Sequence, residues 1–259
     1  MKKAILHTGE YMGIPIVATN LESAVYTVCN HLHERKGEYI TFVNVHVLVT
    51  AVENPEYRKA QELSAYSFAD GVPIVNLQKK KGYIEAERVA GPDFMDAILK
   101  AKPEKKYRHY FYGGSPDNMK QLLKEVSNKY PDAEIVGSGC PEFIQNVDED
   151  TFEELFANDI EKIKKASPDF IWVGLGTPKQ EWWMMHAHNQ YEIDGIMVGV
   201  GAAFDFISGT KKRAPIIIQR LGLEWLHRML QEPRRLFHRY FYTNIKFLQL
   251  CFKERLKRN

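Results

Sequence analysis

The chain has 259 residues, of which 44% are hydrophobic and 26% charged, a composition of soluble globular proteins that excludes a disordered or fibrous chain. Its three cysteines, Cys29, Cys140 and Cys251, are scattered with no CxxC pair, which excludes a disulfide framework and a zinc knuckle. The net charge of +2 hides an asymmetry: residues 211–259 hold 13 Lys+Arg against 3 Asp+Glu, and the rest 22 against 30.

A basic tail on an acidic body points to a partner bearing phosphates or an anionic surface. The change in composition places a boundary near residue 210, between an α/β body (1–210) and a basic helical appendage (211–259). The opening MKKAILHTGEYMG has too short an apolar run for a signal peptide. No 18-residue apolar stretch follows, so a membrane-crossing segment is not expected.

In chain order, GIPIVA (13–18) reads as a strand, followed by a helix from Leu21 towards Arg35. YITFVN (39–44) is a second strand, with a helix through Leu48–Leu63. YSFAD (66–70) is a third, and a helix opens on Pro92 and runs to 101. The pattern continues as strand 108–114, helix 117–129, strand 134–139, helix 149–166, strand 168–176, a helix around 180–188 and strand 195–201. Strands alternating with helices predict a Rossmann-like, mostly parallel sheet with helices on both faces. Ligands of such folds sit beyond the carboxyl ends of the strands.

The chemically unusual residues fall at those ends. Asn44 and His46 follow one strand and Asp70-Gly71 another. Gly113-Gly114 follow a third, Gly174, Gly176 and Thr177-Pro178-Lys179-Gln180 a fourth, and Gly199 to Asp205 the last. Asp70 either caps the next helix or stands as a carboxylate able to take a proton. Arg88, before a Gly-Pro-Asp turn, suits a phosphate or carboxylate, while Asp93 reads as a structural acid in a first helical turn. In GLGTPKQE (174–181) a glycine turn leads into a helix whose first turn brings Lys179 and Gln180 towards an anion or sugar.

GVGAAF (199–204) lacks the third glycine of a dinucleotide fingerprint and is discounted. Asp148-Glu149-Asp150 has metal-binding DxD spacing, but its place before a helix favours capping. The His31/His33 and His186/His188 pairs are two apart and face different ways on a helix. In the tail, Arg213, Arg220, Arg228, Arg234, Arg235 and Arg239 interleave with aromatics, and Leu236, Tyr240, Phe247 and Cys251 form an apolar stripe. That pattern fits either a helix pair packed on the body or a helix at an anionic membrane surface. Nothing resembles a stacking platform or a helix-turn-helix, so a nucleic-acid partner is not expected.

Asn44, FADG (68–71), ERVAGPD (87–93), the glycines at 113–114, GLGTPKQE, GVGAAFDFISGTKKRAP (199–215) and GLEWLHRMLQEPRRLFHRY (222–240) together resemble the WecG/TagA/CpsF glycosyltransferases, family 26 of the sequence-based classification. The resemblance spans nearly the whole chain. It implies transfer of a sugar from a UDP-sugar, N-acetylmannosamine first, to an undecaprenyl-diphosphate-linked sugar acceptor, with inversion and without a metal or cofactor. Asp70 then matches the family's base. Arg88 and tail arginines would stabilise the departing diphosphate, and Gln180 and Asn44 would bind sugar or nucleotide.

The expected substrate-binding set is Asn44, His46, Gly113, Gly114, Gly176, Lys179, Gln180, Asp205, Arg213, Arg228, Arg235 and Arg239. The tail would hold the protein to the cytoplasmic face of the cell membrane, ordering there, and a homo-oligomer is a further expectation. Phe42 stands where some relatives carry Thr, and Asn-Val-His (44–46) where teichoic-acid enzymes carry Asn-Pro-Glu. The donor is therefore open to a mannosaminuronic acid or a hexose, and a catalytically silent scaffold is the alternative from another class.

Overall fold

The computed structural model describes residues 6–103, 105–142 and 149–256. An eight-stranded sheet runs in the order β1-β2-β4-β3-β8-β7-β5-β6. Its strands are β1 (His7–Tyr11), β2 (Ile14–Ala18), β3 (Tyr39–Val43), β4 (Tyr66–Ala69), β5 (Arg108–Gly113), β6 (Glu134–Gly139), β7 (Phe170–Gly174) and β8 (Ile196–Gly199). All pairings are parallel except β1 with β2. The fully buried sequences YITFV, YSFA and IMVG are the continuous apolar runs of strands covered on both faces.

The edge strand β1 was not legible as a strand. His7, Thr8 and Glu10 face solvent and only Gly9 and Tyr11 face inward, so no apolar run marks it. What creates it is the turn, Met12-Gly13, with φ of 54° and 84°, the positive-φ pair that suits a two-residue hairpin.

Helices α1 (Leu21–Asn30), α5 (Gly91–Leu99) and α6 (Pro116–Lys129) cover one face, closing on Phe42, Phe68, Phe94, Phe111 and Trp172. On the other face lie α2 (Val45–Glu53), α3 (Pro55–Glu62), α4 (Val72–Lys80), α7 (Glu149–Ala166) and α8 (Lys179–Gln190). The helix expected over 48–63 is two helices. Pro55 has no N–H to continue α2 and steers Asn54 to extended backbone, where its Oδ1 accepts from Tyr57 N–H and caps α3.

Beyond β8 come α9 (Ala203–Ile207), α10 (Ile216–Arg220), α11 (Glu224–Gln231) and α12 (Pro233–Leu256). The tail is docked rather than detached: Leu236, Thr243 and Phe247 of α12 are buried, and Phe247 joins the apolar cluster of α2 and β2. The stripe read from sequence is therefore the docked face. One residue further round, Phe237, Phe241, Ile245, Leu248, Phe252 and Leu256 form a second stripe open to solvent. No helix among the described residues is long and apolar enough to cross a membrane.

Candidate active site

A cleft of about 570 Å³ opens over the carboxyl ends of β3, β4, β7 and β8, walled on one side by α11 and α12. Every residue singled out from the sequence for binding or catalysis lines it except Gly113. Gly113 instead packs on β7: at φ 121°, a Cβ there would stand 2.6 Å from the Gly174 carbonyl carbon. Its smallness lets β5 and β7 approach, and it contributes no cleft surface.

Asp70 leaves β4 with its N–H bonded to Val43 O (2.8 Å). It does not cap α4, whose N-cap is Gly71 with no side-chain hydrogen bond. Burial pushes its carboxyl up to about 6, the Arg88 charge holding it lower than burial alone would and Glu224 working the other way. A carboxylate poised near neutrality is the state required of a general base.

Arg88 lies 3.7 Å from Asp70 Oδ1. Its two terminal nitrogens donate to Glu224 (2.9 Å), Asp93 (3.0 Å) and Gln219 (2.9 Å). Arg213 donates to both oxygens of Asp93 and, from Nε, to Glu224 at 3.3 Å. Asp93 is thus a bridge between two arginines rather than only a dipole partner. Glu224, from the tail, ties α11 to the Asp70 corner; its single glutamate in GLEWL carried no sequence signal. The guanidinium expected to meet a diphosphate is engaged with carboxylates here.

Arg228 and Arg239 differ in this respect. Arg228, Arg235 and Arg239 project from α11 and α12 into the cleft. Arg235 pairs with Glu232 (2.7 Å), but among the described residues no carboxylate pairs with Arg228 or Arg239. Burial, with Arg235 and Arg228 nearby, pulls the Arg239 pKa down. Arg228 and Arg213 both sit about 6 Å from the Phe206 ring. Crowded, half-desolvated cations of this kind are an anion site in waiting.

The opposite wall carries neutral polar groups of fixed polarity. Asn44 Oδ1 caps α2 by accepting from Val47 N–H (3.1 Å), leaving its NH₂ as the group offered to a ligand. Thr50 Oγ1 donates to His46 O (2.8 Å), so it accepts at His46 Nδ1 (3.4 Å) and leaves Nε2, buried without a partner among the described residues, as an acceptor. Burial and the Arg239 charge push His46 down to about 4, so it stays neutral. Gln180 heads α8 beside Gly176 and Lys179. Gly176, at φ 77° with open space where a Cβ would stand, and Gly114, at φ 69°, give the cleft backbone rather than side-chain walls there.

Asp205 is held by Asn118 Nδ2 (2.9 Å) and Lys211 (2.9 Å). Of the DxD run, Asp148 lies outside the described residues and Glu149-Asp150 open α7. A base near neutral pH, a cluster of arginines and a wall of oriented amides can deprotonate a hydroxyl beside an anionic leaving group.

Comparison with known proteins gives the family. The model of the glycosyl transferase WecG/TagA/CpsF family matches residues 10–259. The chain belongs to this family. It is 30% identical over 205 residues to the N-acetylglucosaminyldiphosphoundecaprenol N-acetyl-beta-D-mannosaminyltransferase of Bacillus spizizenii, covering 79% of this chain and 76% of the relative. It is 29% identical over 231 residues to the protein of the same name from Bacillus subtilis, covering 89% and 86%.

Proposed function

We propose that this glycosyltransferase moves N-acetylmannosamine from UDP to a polyprenyl-diphosphate-linked N-acetylglucosamine, inverting the anomeric carbon. The observation that carries the reading is Asp70, poised near pH 6 in a cleft facing Arg228, Arg235 and Arg239. The acceptor and sugar follow the names of the two Bacillus relatives.

In the proposed step the acceptor hydroxyl oxygen attacks the anomeric carbon while its proton passes to Asp70. The bond from that carbon to the β-phosphate oxygen breaks, and its electron pair leaves with UDP. Charge that grows on the diphosphate is met by the tail arginines in place of a metal ion. Arg88, already bound to carboxylates, serves chiefly to keep Asp70 ionised.

The acceptor's lipid brings the enzyme to a membrane. The open stripe of α12 (Phe237, Phe241, Ile245, Leu248, Phe252, Leu256), flanked by exposed Arg234, Lys253 and Arg255, supports peripheral binding at the inner face of the cell membrane, with residues 211–259 as the appendage that binds.

The test is UDP release from a panel of UDP-sugars with a lipid-diphosphate N-acetylglucosamine acceptor in EDTA, with the anomeric configuration of the product read by NMR. The reading expects turnover with UDP-N-acetylmannosamine, undiminished by EDTA, and an inverted product. Turnover abolished by EDTA, or a retained configuration, would refute the proposed mechanism. Binding of UDP-sugar without turnover would favour the scaffold.

A further inference from the structure

Glu181 is 1% exposed and buried among the residues of α8, one position past Gln180, and no step described above uses it. A carboxylate in such a place is costly unless its oxygens are occupied. Its Oε1 accepts from Gln180 Nε2 (2.9 Å) and from Thr177 Oγ1 (3.1 Å), while its Oε2 is buried without a partner among the described residues and burial raises the pKa of the group. Gln180 Nε2 also donates to the Gly199 carbonyl at 3.2 Å.

The Gly199 carbonyl can only accept, and Glu181 Oε1 already accepts from Thr177, so the end of the Gln180 amide that they flank is nitrogen. Both N–H groups point into the protein. The carbonyl end is left: Gln180 is 5% exposed, and its Oε1 has no hydrogen-bond partner among the described residues. That oxygen lies beside Gly201, another cleft residue, where a Cβ would stand 3.5 Å from it. A buried carbonyl oxygen whose lone pairs accept no hydrogen bond, in a ligand cleft, calls for a donor.

We infer that Glu181 is a positioning residue: it holds the Gln180 amide so that Oε1 accepts an N–H or O–H of the bound donor substrate. The inference rests on the glycosyl-transfer reading and adds the polarity of one subsite to it. Two groups of a UDP-sugar have the required chemistry, the N–H or hydroxyls of the uridine and the hydroxyl or amide N–H of the transferred sugar. A ligand offering only an acceptor at that point is rejected, because it would leave two buried acceptors facing each other.

The isosteric Glu181→Gln tests this, because a glutamine can donate as well as accept at Gln180 and so leaves the Gly199 carbonyl as the one fixed acceptor holding the amide. The measurements are calorimetric titrations of UDP and of UDP-N-acetylmannosamine into wild type, E181Q, Q180A and the double variant, with KM and kcat for each. Thermal midpoints and circular dichroism establish that each is folded. The expected result is roughly tenfold weaker binding of the donor substrate and a raised KM in E181Q, with kcat within about twofold. The double variant should be no weaker than Q180A, because Glu181 acts through Gln180.

If UDP itself weakens by the same factor, the donor group is on the uridine. If only the UDP-sugar weakens, the group is on the sugar. Affinities in E181Q within twofold of wild type for both ligands would overturn the inference, as would losses in the double variant that add. Wild-type protein that binds neither ligand would overturn the glycosyl-transfer reading, and the inference with it. Should E181Q fail to fold, Thr177→Val removes the second donor that fixes Oε1, with the same pattern expected at smaller size and an unchanged affinity counting against the role.

Discussion

At the scale of single residues, the proposed chemistry turns on how one carboxyl is tuned. Burial raises Asp70 to about 6, so with Asp70 as the proposed base kcat/KM should fall as pH drops through 6 and the carboxylate takes up its proton. Arg88 opposes that rise, so Arg88→Gln should move the acid limb to higher pH, a shift read directly from the pH-rate profile. An unmoved limb would mean that Arg88 does not govern Asp70. Stability runs the other way. The folded pKa lies above the ordinary carboxyl value of 3.8, so ionisation of Asp70 costs stability progressively from about pH 4 to pH 6. Asp70→Asn should therefore melt no lower than wild type at pH 8, with its advantage fading towards pH 4, as scanning calorimetry would show. Asp70 was found in the sequence because aspartate-glycine at the end of a buried strand is hard to explain as packing. Glu224 was not, because nothing local separates a glutamate that reaches an arginine 136 positions away from one that faces water.

Elements divide between those that pattern alone reveals and those set by a junction. The buried strands and the proline-headed helices were legible because apolar runs and Pro at the first turn are local signals. The break at Asn54-Pro55 was missed because apolar periodicity continues across it, although the proline was there to be read. Asn54→Ala should cost about 1 kcal/mol in urea denaturation by removing the cap of α3. In α12 the sequence showed one apolar stripe and the fold uses two, set one residue apart round the helix. Phe247→Ala, on the docked stripe, should cost about 3 kcal/mol. Phe241→Ser, on the open one, should change stability by less than about 0.5 kcal/mol yet weaken binding to anionic vesicles in a sedimentation assay. Equal vesicle binding by Phe241→Ser and wild type would remove α12 from the membrane account.

The whole molecule joins two parts of opposite charge into one site. The body supplies Asp70, Arg88 and the amide wall; the tail supplies Arg213, Arg228, Arg235 and Arg239. The charge asymmetry of the sequence led to the expectation of a partner with phosphates or an anionic surface, and four arginines of the basic part line the cleft itself. What the sequence could not convey was the pairing, with Glu224 of the tail holding Arg88 of the body at 2.9 Å. Arg239→Ala should lower kcat by about a hundredfold or more if it stabilises the departing diphosphate, while leaving the fold intact, because no carboxylate pairs with it among the described residues. Unchanged kcat would assign Arg239 to solubility or lipid contact instead.

The most direct test of the central claim is UDP release by Asp70→Asn at saturating donor and lipid acceptor, alongside UDP affinity measured on the same preparation. Loss of a hundredfold or more in kcat, with UDP affinity within about twofold of wild type, is the predicted result. Turnover by Asp70→Asn within tenfold of wild type would contradict the assignment of Asp70 as the base and move the proton transfer elsewhere in the cleft.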